Sequence, residues 1–124
     1  MTTALYALPL VALYIVLAAR VVNFRKANRV SLGDGGSAEL LCRIRAHGNC
    51  GEYAPFGVVL LALAELSQAP APVVHLSGVA LVAGRFLHAW AIGWNGPMGA
   101  RVAGMVLTFT AMGLASLTAA WLAL

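Results

Sequence analysis

The chain has 124 residues, 61% of them hydrophobic and 10% charged, with a mean hydropathy of +0.87; these values exclude an ordinary soluble domain and define an integral membrane protein. A helical span takes about 20 residues, so the length holds about four spans with short loops and no separate soluble domain. The net charge of +4 does not point to nucleic acid, because six of the eight basic residues fall between Arg20 and Arg45, beside a span and without an aromatic-basic motif; that placement fits a membrane surface or an anionic ligand.

In chain order, span one reads from about residue 4 to 24. No Lys or Arg precedes it, so it reads as a retained span rather than a cleaved signal. Arg20 lies close enough to its end to snorkel or to face a partner helix. The polar segment from Arg25 to Glu39 contains Gly33-Asp34-Gly35-Gly36-Ser37, a turn-forming cluster that makes it the main loop. Span two is expected at about 45–68, with Pro55 as a kink or first-turn proline. Gln68-Ala69-Pro70-Ala71-Pro72 forces a short connection to span three at about 73–94, and Asn95-Gly96-Pro97 leads to span four at about 101–124. The expected fold is an all-α four-transmembrane-helix bundle, a single domain over residues 1–124.

Most Lys and Arg sit in the first loop, none in the second connection, and Arg101 follows the third. This asymmetry puts loops one and three in the cytoplasm and both termini outside, as in an inner or plasma membrane. The charged ends of spans one, two and four, with Arg85 and His88 of span three, then lie toward one membrane side. They converge on one pocket.

The segment from Arg43 to Pro55 carries the ionisable groups that a membrane helix holds only for a purpose. At about 100° per residue, Arg45, Asn49, Glu52 and Phe56 share a stripe flanked by Tyr53. Arg45 and Glu52 are nearly two turns apart, beyond the usual i, i+4 reach, so a zwitterionic ligand with a carboxylate for the guanidinium and an ammonium for Glu52 would bridge them. Glutathione has that character and adds a thiol. The alternative is that Arg45 snorkels to the headgroups and Glu52 pairs with an arginine of a neighbouring helix or subunit.

The remaining polar residues also have two readings each. Arg85 is expected to pair with Glu52 or with ligand carboxylates, since span three has no acid of its own. His88 is a proton-transfer group or a packing residue, and His75, near the outer end, is interfacial. Cys50 has no adjacent base and reads as a small packing residue. Cys42 and Cys50 lie about 12 Å apart along a helix, too far for a disulfide, and with His47 they make no metal site; no metal is expected.

The string Arg45-Ala46-His47-Gly48-Asn49-Cys50-Gly51-Glu52-Tyr53-Ala54-Pro55 closely resembles the signature opening the second helix of the MAPEG family, the membrane-associated proteins in eicosanoid and glutathione metabolism. Arg25-Lys26-Ala27-Asn28-Arg29-Val30-Ser31 resembles the family's basic segment after helix one, and Gly84-Arg85-Phe86-Leu87-His88 and Arg101 match further positions. The likeness covers essentially the whole chain. It implies a homotrimer with glutathione, as co-substrate, in clefts between subunits open to the cytoplasm. By position, Arg45, Asn49, Glu52 and Tyr53 hold the tripeptide, with Arg25, Lys26, Arg85 and His88 as further contacts, and Arg101 stabilises the thiolate as the catalytic residue.

The demand on Arg101 is modest. Lowering a thiol pKa by two units takes roughly 2.7 kcal/mol, and a cation about 4 Å away supplies about 4 kcal/mol at an effective dielectric near 20. Without the resemblance, Arg101 would read as an interfacial anchor of span four.

Several eicosanoid-forming members carry tyrosines late in helix three or early in helix four, where this chain has Trp90, Ile92, Trp94, Val102 and Met105, and no serine stands beside Arg101. The resemblance therefore implies a broader glutathione transferase or peroxidase acting on a lipophilic substrate from the bilayer, with spans one and four lining its path. A non-catalytic lipid-binding or scaffold protein is the alternative. A small proton-coupled exporter fits less well, because span one lacks a carboxylate.

Overall fold

The computed structural model describes residues 1–124 as four helices: α1 (Thr3–Asn28), α2 (Ala38–Leu66), α3 (Ala71–Gly93) and α4 (Met98–Ala123). A helix stands at each of the four expected places. Three of them, α1, α3 and α4, are long and apolar enough to cross a membrane by length and composition. Helix α2 falls outside that class because its first half carries Glu39, Arg43, Arg45 and Glu52.

Helix α2 begins seven residues before the expected start of span two, and the main loop is correspondingly shorter. At one end α1 continues through Arg25 and Lys26 and stops where Arg29 turns left-handed, at φ 56°. At the other, Ser37 caps α2 by accepting the Leu40 N–H at 3.2 Å. Arg43 then bonds Glu39 one turn back. What looked like loop polarity is a capped, ion-paired first turn. Between the helices, Gly33 and Gly36 take positive φ, and Asp34 Oδ1 accepts the Gly36 N–H at 2.9 Å. Pro55 lies well inside α2 rather than in its first turn.

Side-chain size decides how the helices meet. Gly84 of α3 and Gly104 of α4 bring two backbones into contact: a Cβ at Gly104 would stand 2.7 Å from the His88 backbone nitrogen and 2.8 Å from the Gly84 carbonyl oxygen. Thr108, Ala111 and Ala115 continue this buried edge of α4. Such close approach through small residues is how membrane helices gain packing energy when lipid is as apolar as leucine. On the other side of the bundle, Leu10, Leu13 and Leu17 of α1 pack with Ala46, Cys50 and Ala54 of α2 in the apolar core.

The bundle end farther from the charged cluster is fastened by polar bonds. Glu65 accepts from the backbone N–H groups of Thr2 and Thr3 and from the Thr3 hydroxyl at 2.6 Å, capping α1 with a carboxylate from α2. Nearby the Tyr6 hydroxyl and His75 Nδ1 are 2.6 Å apart, and Tyr6 lies on Gly78.

Replacing Gly104 by alanine should destabilise the bundle by about 1–3 kcal/mol, because the added methyl meets backbone that cannot swing aside. Gly113, whose Cβ would meet open space, should tolerate alanine with unchanged or slightly raised stability. Thermal unfolding of both variants in one detergent compares them directly.

Candidate functional site

Helices α2, α3 and α4 meet around Arg85, which is 1% exposed. Its Nη1 donates to Asn49 Oδ1 of α2 at 2.6 Å, its Nε to Thr108 Oγ1 of α4 at 2.9 Å, and its Nη2 to Met105 Sδ at 3.2 Å. The ring of Tyr53 lies 5.2 Å from the guanidinium carbon and packs edge-on against Phe109. Thr108 serves two groups at once, accepting from Arg85 and donating to the Gly104 carbonyl at 2.8 Å. An amide, a hydroxyl and a thioether therefore hold this cation, and neither ion pair of the chain includes it. The expected pairing of Arg85 with Glu52 does not form, because Glu52 turns the other way along α2.

Glu52 meets Arg45, with Nη1 and Oε1 3.9 Å apart. The pair is thus within direct reach, contrary to expectation: seven residues are about 10.5 Å along the helix, and an arginine and a glutamate leaning toward each other span that distance. Gly48 lies between them, where a Cβ would stand at ordinary contact distance, 3.8 Å from Arg45 Nη1 and 4.0 Å from Glu52 Oε1. Their side chains are 56% and 55% exposed. An exposed, barely closed pair contributes little energy, and both ends can exchange partners readily.

The sequence-predicted residues fall into three groups. Asn49, Tyr53 and Arg85 form one contact network, with the Arg45–Glu52 pair on the same side of α2. His88 is 4% exposed and packs against Gly104 of α4, and exposed Arg101 stands one turn before that glycine on the same helix. Arg25 and Lys26 lie elsewhere: they line a separate cavity of about 360 Å³ at the end of α1 with Arg29 and Ser31. Helix α1 packs on the side of α2 marked by His47, Cys50 and Gly51, where Tyr14 stacks on His47 at 4.5 Å. At 100° per residue that side is roughly opposite the Arg45–Asn49–Glu52 stripe. A single protomer thus does not bring Arg25 and Lys26 onto the stripe.

Thr108 carries a part of this arrangement that the sequence reading passed over. Thr108 had a visible signal, a threonine in an apolar helix four residues after a glycine.

The fold and this cluster define a four-helix integral membrane protein whose ionisable side chains gather toward one end of the bundle. Its sequence matches the MAPEG family over residues 3–121, and the chain belongs to that family. It is similar to the inner membrane protein YecN of Escherichia coli strain K12, 42% identical over 88 residues that span 71% of this chain and 67% of the relative. YecN of Escherichia coli O6:H1 matches with the same identity and coverage. The name of these relatives gives them a membrane and no reaction.

Thr108→Val should cost about 1–3 kcal/mol, because the buried guanidinium loses an acceptor it cannot replace from water. Thr108→Ser, which keeps the oxygen, should unfold near the wild-type temperature. Thermal denaturation in detergent distinguishes the two.

Proposed function

We propose that this protein is a glutathione-dependent transferase, with peroxidase activity as an extension of the same thiolate chemistry. The observation that carries the reading is the Arg45–Glu52 pair: two opposite charges on one exposed face, weakly engaged with each other, above an amide that Arg85 holds in place. A zwitterionic tripeptide replaces that contact with two better ones, its carboxylate on Arg45 and its amino group on Glu52. Family membership adds the glutathione and eicosanoid setting.

In this reading Arg101 holds the ligand's sulfur as thiolate. The thiol gives its proton to solvent, and the sulfur lone pair forms a C–S bond with an electrophilic carbon as the leaving group departs with the bonding electrons. With a hydroperoxide, two thiols are oxidised to one disulfide while the peroxide is reduced to an alcohol and water. The lipophilic substrate arrives from the bilayer. Since Arg25 and Lys26 stand apart from the stripe within a protomer, they reach the ligand from the neighbouring subunit of a homotrimer, with the cleft open to the cytoplasm.

Calorimetric titration should show glutathione binding to the purified protein, and an absence of binding would reject the proposal. Arg101→Ala should retain the ligand but lose the thiolate absorbance of the bound thiol; thiolate that persists would take that role from Arg101, and thiolate that never forms in wild type would favour a non-catalytic scaffold. Glu52→Gln should weaken binding by about tenfold, as expected for loss of one hydrogen-bonded charge partner. Chemical crosslinking in mild detergent should end at three subunits, and a ladder ending at two would contradict the trimer.

A further inference from the structure

On the α1–α3 side of the bundle, two cavities meet at Trp94. The first, about 420 Å³, is polar and lies where the charged end of α1 meets the start of α2 and the end of α3; Arg20, Glu39, Cys42, Gly93, Trp94 and Asn95 line it. The second, about 320 Å³, is an apolar groove between α1 and α3 formed by Ala12, Leu13, Val16, Phe86, Trp90 and Trp94. From Arg20 back to Ala12 is about 12 Å along α1 at 1.5 Å per residue. The pair therefore combines a charged mouth with an apolar channel running along the span.

The mouth carries unspent cationic character. Arg20 lies flat on Trp94, its guanidinium carbon 3.4 Å from the ring centroid, and Nη2 donates to the Gly93 carbonyl at 2.8 Å. Its Nη1 is buried and bonds nothing. Gly93 keeps space beside that nitrogen, since a Cβ there would stand 3.1 Å from it. Behind it, Arg43 donates to the Arg20 carbonyl at 3.1 Å and to Glu39, while its own Nε is also buried without an acceptor. Two guanidiniums against one carboxylate leave one positive charge uncompensated. Of the two free nitrogens only Arg20 Nη1 belongs to a residue lining the cavity, so the missing partner is an anion received by Arg20.

We propose that this pair of cavities binds a membrane phospholipid with an anionic headgroup, the phosphodiester on Arg20 and one acyl chain in the α1–α3 groove. A single negative charge balances the mouth, and a phosphodiester offers a free oxygen to Arg20 Nη1. Trp94 is 48% exposed and sits at the junction of polar and apolar parts, where an indole ring suits the level between headgroup and chain. The continuous groove separates this occupant from free phosphate, which needs no channel. The site is distinct from the Arg45–Glu52 face and stands whether or not that face binds glutathione.

Native mass spectrometry of delipidated protein tests it, with dioleoyl phosphatidylglycerol, dioleoyl phosphatidylcholine and glycerol phosphate as probes. Phosphatidylglycerol should be retained in preference to the other two, with an affinity that drops about tenfold in Arg20→Gln, the loss of one charge-assisted contact, and also falls in Ala12→Trp, which fills the exposed groove. Equal retention of glycerol phosphate would replace the lipid site by an anion site and overturn the proposal. Ala12→Trp that changes oligomer mass while phosphatidylglycerol still binds would mean that a second subunit covers the groove, and would overturn it too. Should either variant fail to fold, a Trp121→Phe background with brominated-chain lipids reads the site directly: bromine on phosphatidylglycerol should quench Trp90 and Trp94 more strongly than on phosphatidylcholine at the same mole fraction, and equal quenching would reject the site.

Discussion

The arrangement of this protein depends on how it accommodates one buried cation. Arg85 sits where three helices meet, almost without solvent, and its positive charge is distributed over an amide oxygen, a hydroxyl and a thioether rather than cancelled by a carboxylate. Neutral acceptors satisfy the donors of a guanidinium but leave its field in place. That field reaches the tyrosine ring beside it and the surrounding end of the bundle. Each acceptor comes with a geometric demand: Asn49 must present its oxygen inward, Thr108 must stand within reach of both Arg85 and the Gly104 carbonyl, and α3 and α4 must touch at glycine. The close Gly84–Gly104 contact and the polar network are one arrangement seen from its apolar and polar sides.

This constraint also sets the character of the exposed face. With its oxygen accepting from Arg85, Asn49 turns its amide hydrogens away from the guanidinium, where they are free to donate. Arg45 offers donors and Glu52 offers acceptors beside it. The face is therefore polarised along α2, with donors at Arg45 and acceptors at Glu52.

Much of the fold was legible from apolar run length, because a bilayer imposes one number on every span and prolines and glycines punctuate the rest. The start of α2 was not. Glu39 and Arg43 look like loop residues until their four-residue spacing is joined to the serine cap at Ser37, and a charge count outweighed that signal. The site residues stood out one at a time as ionisable groups in apolar helices, yet their partnerships did not. Nothing in the order of residues tells that Arg85 finds its acceptors on two other helices, or that Arg20 lies on Trp94 more than seventy positions away. The Arg45–Glu52 contact was missed for a different reason: the i, i+4 rule describes neighbours one turn apart, and two long side chains leaning toward each other close the second turn.

Polar contacts hold helix α1 at both ends, by Glu65 at Thr2 and Thr3 with Tyr6 at His75, and by the Gly93 carbonyl at Arg20 with Arg43 on the Arg20 carbonyl. Between them its buried side chains are leucines, and lipid tails solvate such a surface about as well as protein does. Apolar packing alone would let the helix slide or turn at small penalty. A shift of one turn would release the polar attachments at both ends together, because the distance between them along the helix is fixed. The leucine stretch supplies the cohesion of α1, and its vertical register belongs to its polar ends.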